Sequence, residues 1–67
     1  MNYAKLRGKI AESGMTQAQI ASHLGISPNT MTKKMNNRAE FNLSEVAKLC
    51  SILAIKEATE KADIFLQ

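Results

Sequence analysis

The chain has 67 residues and a mass of 7.4 kDa, which is enough for one small domain, and we expect residues 1–67 to form it. One cysteine excludes an internal disulfide, and with one histidine it offers no spaced set of metal ligands, so we predict neither a metal nor a cofactor. No apolar run approaches the roughly 20 residues that span a bilayer. The N-terminal segment is too charged for a signal peptide, so we expect a cytoplasmic protein.

The charge is distributed unevenly around a net value of +3. Residues 1–38 contain six basic residues and one acidic residue, whereas residues 39–67 contain three basic and five acidic residues. A basic N-terminal half favours a polyanion such as nucleic acid as the partner. The alternative is a solvated surface on which lysines and arginines cluster by chance.

The first predicted helix covers residues 3–13, where Leu6 and Ile10 lie one turn apart on an apolar face. Ser13-Gly14 ends it, because glycine tolerates the positive φ of a helix end. Thr16 then begins a second helix as its N-cap, with Gln19 three residues later in a capping-box pattern.

Three apolar residues, Ile20, Ala21 and Leu24, form the buried face of this second helix, and Gly25 stops it. Ser27 as N-cap with Pro28 at the first helical position predicts a third helix over residues 28–35. Its apolar positions are Met31 and Met35, which leaves a wide polar face.

A loop over residues 36–42 is rich in turn residues, and Phe41 is expected to anchor it to the core. Ser44 is predicted to cap a fourth helix whose apolar face comprises Val46, Ala47, Leu49, Cys50 and Leu53. A weaker fifth helix is predicted from Lys56 to about Leu66, with Ala58, Ala62, Phe65 and Leu66 as its apolar residues. No segment alternates as a strand would, so we predict an all-α fold, a compact orthogonal bundle of about five short helices.

The stretch TQAQIASHLGISPNTMTKKMN, residues 16–36, has the layout of a DNA-binding helix-turn-helix. Ala21 is small where the two helices would cross, and Gly25 lies where the tight turn needs positive φ. In this motif the second helix enters the major groove of DNA.

This chain resembles the lambda-repressor-like helix-turn-helix family, the Cro and repressor group of phages and their bacterial relatives, over about residues 3–55. The likeness includes Gln17, Leu24-Gly25-Ile26 at the turn, and the fourth-helix stretch LSEVAKLCSILAI. The ending IFLQ is similar to that of short regulators in phages of Gram-positive bacteria. The resemblance implies a lambda-repressor-like fold, an operator DNA as partner and a role in transcription regulation.

Four residues on the third helix are predicted to contact base edges: Pro28, Asn29, Thr32 and Lys33. The amide of Asn29 suits adenine, the amine of Lys33 suits guanine, and Pro28 can touch a thymine methyl group. The alternatives are a polar helix start for Asn29, and a phosphate contact or a solvated amine for Lys33.

Eight residues are predicted to contact phosphates: Thr16, Gln17, Ser27, Thr30, Lys34, Asn36, Asn37 and Arg38. Gln17 lies at a helix N-terminus, which attracts anions, and the resemblance implies that the loop after the third helix meets the DNA backbone. The family has an apolar residue where Lys34 stands. We therefore expect Met35 to take over the core contact while Lys34 turns outward to a phosphate.

The remaining polar residues point to no chemistry. Lys5, Arg7 and Lys9 either lie near the DNA backbone or keep the protein in solution, and Cys50 is expected to be a buried structural thiol. His23 is expected on the exposed side of the second helix, without a metal. With neither a nucleophile–base arrangement nor a glycine-rich phosphate loop, an enzyme is excluded.

The sequence thus predicts a Cro or repressor type of regulator, two copies of which would bind a pseudo-palindromic operator. We expect a weak or DNA-dependent dimer through the fourth and fifth helices, with Ile64, Phe65 and Leu66 as the contact. The alternatives on the same fold are an antirepressor that binds another repressor through this apolar tail, and an antitoxin that binds both DNA and a toxin.

Overall fold

Five α-helices follow one another in the computed structural model, which describes residues 1–66: α1 (Tyr3–Ser13), α2 (Gln17–Leu24), α3 (Pro28–Met35), α4 (Leu43–Ile52) and α5 (Ala58–Phe65). Residues 1–66 contain no strand, which confirms the all-α prediction. None of these helices has the length and apolar character needed to cross a bilayer. The last residue of the ending IFLQ, Gln67, lies outside the described residues.

The boundaries of α1 and α2 follow the predicted signals. Gly14 ends α1 with φ 73°, and Gly25 ends α2 with φ 75°. At the start of α2, Thr16 Oγ1 accepts a hydrogen bond from the Gln19 N–H, and Gln19 Oε1 accepts one from the Thr16 N–H. This complete capping box satisfies two of the four unpaired backbone donors at the start of α2, the N–H groups of Thr16 and Gln19.

Ser27 caps α3 as predicted, but the predicted cap of α4 is wrong. Asn42, not Ser44, precedes the first helical turn, and its Oδ1 accepts from the Glu45 N–H at 2.8 Å. Glu45 Oε1 in turn accepts from the Asn42 N–H at 2.9 Å. This reciprocal pair begins the helix two residues earlier than a Ser44 cap allows, because an Asn-x-x-Glu box satisfies two backbone donors at once.

The core lies where the five helices meet. Its buried apolar residues are Leu6, Ile10, Ile20, Ala21, Leu24, Met31, Met35, Leu49, Leu53, Ile55 and Ile64. Helix α2 packs against α3 and α4, and α1 packs against α5. Phe41 is half-buried and packs against this cluster, as expected for the loop anchor.

The second half of the chain differs from its predicted pattern at several positions. Ala47 is exposed, although the predicted apolar face of α4 included it. Helix α5 begins at Ala58 and not at Lys56, and its buried residue is Ile64, which is 1% exposed. Leu66, assigned to the apolar face, is 82% exposed. Ile64 belongs to the buried core cluster on the side where α5 packs against α1, and its carbonyl oxygen accepts a hydrogen bond from the Asn2 N–H at the start of α1.

Candidate nucleic-acid interface

Helix α3 packs against the core with one side and exposes its other side to solvent. Met31 and Met35, four residues apart, are 0% and 1% exposed and hold the helix against the core. The four predicted base-contacting residues are all exposed: Pro28, Asn29, Thr32 and Lys33. The chain therefore places them on the surface, as a recognition helix requires.

Asn29 and Lys33 stand one helical turn apart on this exposed side. Among residues 1–66, neither side chain makes a hydrogen bond or an ion pair with another described residue. An exposed amide and an exposed ammonium with no internal partner are available to a ligand.

Three hydroxyl groups at the start of α3 have distinct hydrogen-bond roles. Ser27 Oγ accepts from the Thr30 N–H and donates its proton to Thr30 Oγ1 at 2.9 Å. The Thr30 hydroxyl therefore keeps its own proton for an external acceptor. Thr32 Oγ1 donates to the Pro28 carbonyl at 3.0 Å, so towards any further partner it can only accept a hydrogen bond.

The start of α2 also presents polar groups at the surface. Thr16 is exposed and its oxygen accepts the capping bond, which leaves the hydroxyl proton free to donate. Gln17 is half-buried at the first position of the helix. The unpaired N–H groups of this helix end are oriented to attract an anion.

Lys34 does not turn outward as predicted. Its Nζ lies 2.6 Å from Glu45 Oε1 and 3.2 Å from the Glu40 carbonyl oxygen, and only 12% of its side chain is exposed. The ammonium group also lies 5.7 Å from the centre of the Phe41 ring, within range of a cation–π contact. The prediction for Met35 is confirmed, since this residue takes the core contact. The prediction for Lys34 is wrong, because its ammonium group turns inward to the carboxylate of Glu45 on α4.

Glu45 is the buried partner of this pair, with 8% of its side chain exposed. Burial acts to raise the pKa of its carboxyl group. The hydrogen bonds from Lys34 and from the Asn42 N–H, together with the positive charges of Lys34 and Lys48, outweigh burial. The pKa consequently lies below its ordinary value, and Glu45 is a carboxylate at neutral pH. The Lys34–Glu45 ion pair thus joins α3 to the first turn of α4.

Helix α3 ends in a tight turn that shapes the following loop. The Arg38 N–H donates to the Lys33 carbonyl at 2.9 Å, and the Asn37 N–H donates to the Lys34 carbonyl at 3.4 Å. This bond pattern is a Schellman motif, and Asn37 occupies its left-handed position with φ 60°. Asparagine tolerates this conformation better than other side-chain-bearing residues, so residues 36–38 have one defined path.

Two side chains of α1 reach this loop, and sequence reasoning did not find them. Tyr3 Oη donates to Asn37 Oδ1 at 3.0 Å. The Arg7 guanidinium donates to the Met35 carbonyl at 3.1 Å and to Asn36 Oδ1 at 3.2 Å. Since 28–34 residues separate the partners, no local pattern signals these bonds.

Lys5 and Lys9 face the other side of α1, towards α5. Lys9 Nζ lies 3.1 Å from Glu60 and 3.6 Å from Glu12, and Lys5 Nζ lies 3.7 Å from Asp63. The hydrogen bond that the Lys9 ammonium group donates to Glu60 raises the pKa of Lys9, against the opposing effect of burial. These two lysines are therefore engaged with α5 and not with the loop after α3.

His23 is exposed on α2, as predicted. Cys50 is half-buried, and burial raises the pKa of its thiol while the charge of Lys61 opposes this rise. Within residues 1–66, no three His, Cys, Asp or Glu side chains are grouped so that they could hold a metal ion.

A family model described as the Cro/C1-type HTH DNA-binding domain matches residues 5–59. The matched range contains α2, the turn at Gly25 and α3, and it begins in α1 and ends in α5. No curated protein and no solved structure matches the chain.

Proposed function

Because the chain belongs to the Cro/C1-type family of helix-turn-helix DNA-binding domains, we propose that it is a sequence-specific repressor that blocks a promoter by occupying an operator. DNA binding and a regulatory, non-enzymatic role come with the family. Sequence-specific binding is supported by Asn29 and Lys33 on α3. Both side chains are exposed and have no hydrogen-bond or ion-pair partner among residues 1–66. A cytoplasmic location, where the chain would have access to DNA, belongs to the same proposal.

The base contacts proposed for α3 follow from the hydrogen-bonding capacity of each side chain. Asn29 pairs with the N6 and N7 atoms of an adenine, and Lys33 donates to O6 and N7 of a guanine. Thr32 accepts from a base amino group, because its proton is already donated to the Pro28 carbonyl. Pro28 contributes an apolar contact to a thymine methyl group.

The phosphate contacts proposed around α3 set the docking angle. Thr16, Gln17 and Thr30 act at the N-termini of α2 and α3, and Asn36, Asn37 and Arg38 act at the end of α3. Ser27 supports Thr30, since its hydroxyl is used twice inside the chain. Lys34 takes no part, because its ammonium group is paired with Glu45.

Two copies on a pseudo-palindrome, about one helical turn apart, would supply enough base contacts for specificity. Ile64 is excluded from the dimer contact suggested by the sequence, because it is buried in the core of its own chain. Exposed Leu66 and half-buried Phe65 remain available at the end of α5. We propose a dimer that is weak in solution and forms on DNA.

Selection of binding sites from random duplex DNA at about 150 mM salt tests this proposal. The wild type is expected to enrich a short inverted repeat. Asn29→Ala/Lys33→Ala should lose this enrichment while keeping weak, salt-sensitive binding, because its phosphate contacts are intact. Lys56→Ala, an exposed lysine outside the motif, is the charge control and should enrich the same repeat as the wild type.

Two other results would reject the proposal. Enrichment of the same repeat by the double variant would remove α3 as the reader of bases. No enrichment by the wild type, with all binding lost at modest salt, would favour a protein partner, as for an antirepressor or an antitoxin on the same fold. Truncation after Phe65 would then test whether Leu66 contributes to that contact.

A further inference from the structure

The loop after α3 is connected to α1 through two side-chain amides. Tyr3 Oη donates to Asn37 Oδ1, and the Arg7 guanidinium donates to Asn36 Oδ1. In both cases α1 uses the oxygen of the carboxamide. Arg7 also binds the Met35 carbonyl, so α1 is attached to the last turn of α3 itself.

A carboxamide has one oxygen acceptor and one nitrogen with two donors, and these two atoms point in different directions. Because the oxygens of Asn36 and Asn37 face α1, their Nδ2 groups are turned away from it. Neither Nδ2 donates to another of the described residues 1–66. Both side chains are exposed, so the chain displays two oriented N–H₂ groups beside the recognition helix.

The backbone reinforces this orientation. Asn37 has a left-handed φ of 60° inside the Schellman turn, which fixes the direction in which its side chain leaves the loop. Arg38, the next residue, is exposed and adds a positive charge. Two neutral donors and one cation on a short, fixed loop match the oxygens of a phosphate group.

We propose that Tyr3 and Arg7 are positioning residues for a phosphate-binding site formed by Asn36, Asn37 and Arg38. They act by holding the two amide oxygens, so that the amide nitrogens face the DNA backbone. This inference rests on the proposed function, and it assigns to α1 a part in DNA binding that does not require α1 to touch DNA.

Duplexes carrying the selected operator, with one phosphate at a time replaced by a neutral methylphosphonate, test the inference. The wild type should lose affinity where the loop contacts the backbone. Tyr3→Phe removes one hydroxyl, and it should weaken binding to the unmodified duplex about threefold to tenfold. On the duplex that lacks the charge of that phosphate, Tyr3→Phe should cause no further loss of affinity. The amide nitrogen that Tyr3 orients has then already lost its acceptor, so the two changes remove the same interaction.

Asn37→Asp gives a sharper comparison. Aspartate keeps an oxygen for Tyr3 and tolerates the left-handed turn, but it directs a second oxygen, not a donor, at the phosphate. We expect at least a tenfold loss of affinity with an unchanged melting temperature. Thr59→Asp, which adds the same charge on the exposed side of α5, is the control and should lose far less.

The possible results separate the two proposals. If Tyr3→Phe and Asn37→Asp bind the unmodified duplex as the Thr59→Asp control does, the positioning role is rejected and the operator-binding function stands. If Tyr3→Phe weakens binding equally on every modified duplex and lowers the melting temperature, the bond is merely structural, which also rejects the inference. A wild type that selects no operator would reject both proposals.

Discussion

The ammonium group of Lys34 lies 2.6 Å from a carboxylate oxygen of Glu45, and this ion pair joins the recognition helix to α4. Lys33, the adjacent residue, is exposed and has no ion-pair partner within residues 1–66. Two neighbouring lysines thus have opposite environments. One stabilises the fold, and we assign the other to DNA.

Substitution of each lysine by methionine should separate these roles. Lys34→Met leaves Glu45 buried without its cation, and we expect the free energy of unfolding to fall by about 3 kcal/mol. Lys33→Met should change it by less than about 0.5 kcal/mol but weaken operator binding about tenfold. Urea unfolding and DNA titration measure the two effects. Equal loss of stability in both variants would contradict the assignment.

A double variant checks the origin of the Lys34 effect. Lys34→Met combined with Glu45→Gln removes the uncompensated charge while leaving an amide oxygen to accept from the Asn42 N–H. We expect it to recover part of the stability lost in Lys34→Met. A further decrease would show that methionine is simply badly accommodated at position 34.

The pH dependence of stability should contain a contribution from Glu45. Its pKa is lower in the folded chain than the ordinary value of 4.5, so the unfolded state binds the proton more readily. The stabilisation is complete above pH 4.5 and is lost as the pH falls through the lower pKa of the folded state. Urea unfolding at a series of pH values should show a shallower acid dependence for Glu45→Gln than for the wild type, and parallel curves would contradict this.

Replacement of Ala54, which follows α4, by glycine should stabilise the chain. Ala54 has φ 55°, a left-handed conformation that costs a side-chain-bearing residue roughly 1–2 kcal/mol. Ala54→Gly removes this strain but increases the entropy of the unfolded chain, so we expect a net stabilisation of about 0.5 kcal/mol. Thermal unfolding measures it as a higher melting temperature.

The opposite substitution, glycine to alanine at a left-handed position, can be made at Gly25. It has φ 75°, and an added Cβ would meet no atom within 4 Å. Gly25→Ala should therefore destabilise the chain only through its backbone, by about 1 kcal/mol. A loss several times larger would indicate a steric cost that the open surroundings of Gly25 do not explain.

Cys50 should react slowly with alkylating agents in the folded chain. Burial raises the pKa of its thiol, which lowers the fraction of reactive thiolate at neutral pH. Iodoacetamide at pH 8 should modify the native chain more slowly than the urea-unfolded chain. Lys61→Gln should slow the native reaction further, because the opposing positive charge is removed. A faster native reaction would instead favour a redox role.

Most helix ends and the motif itself were predictable from the sequence. Thr16 with Gln19, Ser27 with Pro28, and the two glycines at helix ends act within four residues of chain. The Asn42-x-x-Glu45 box is also a local signal, and the predicted cap at Ser44 is wrong because this box begins the helix earlier. Such signals are local, because a cap depends only on nearby backbone donors and on φ.

The environments and partners of several side chains, by contrast, were decided only by the tertiary structure. Lys34 is drawn inward by Glu45, 11 residues away, and Ile64 enters the core because α5 packs on α1. Tyr3 and Arg7 meet the loop after α3 only once the chain has folded. The sequence by itself determined the all-α fold and the helix-turn-helix, since helix periodicity and caps are short-range. Which charges are paired and which remain free for DNA depends on how the helices cross, and that crossing is determined by the shared core.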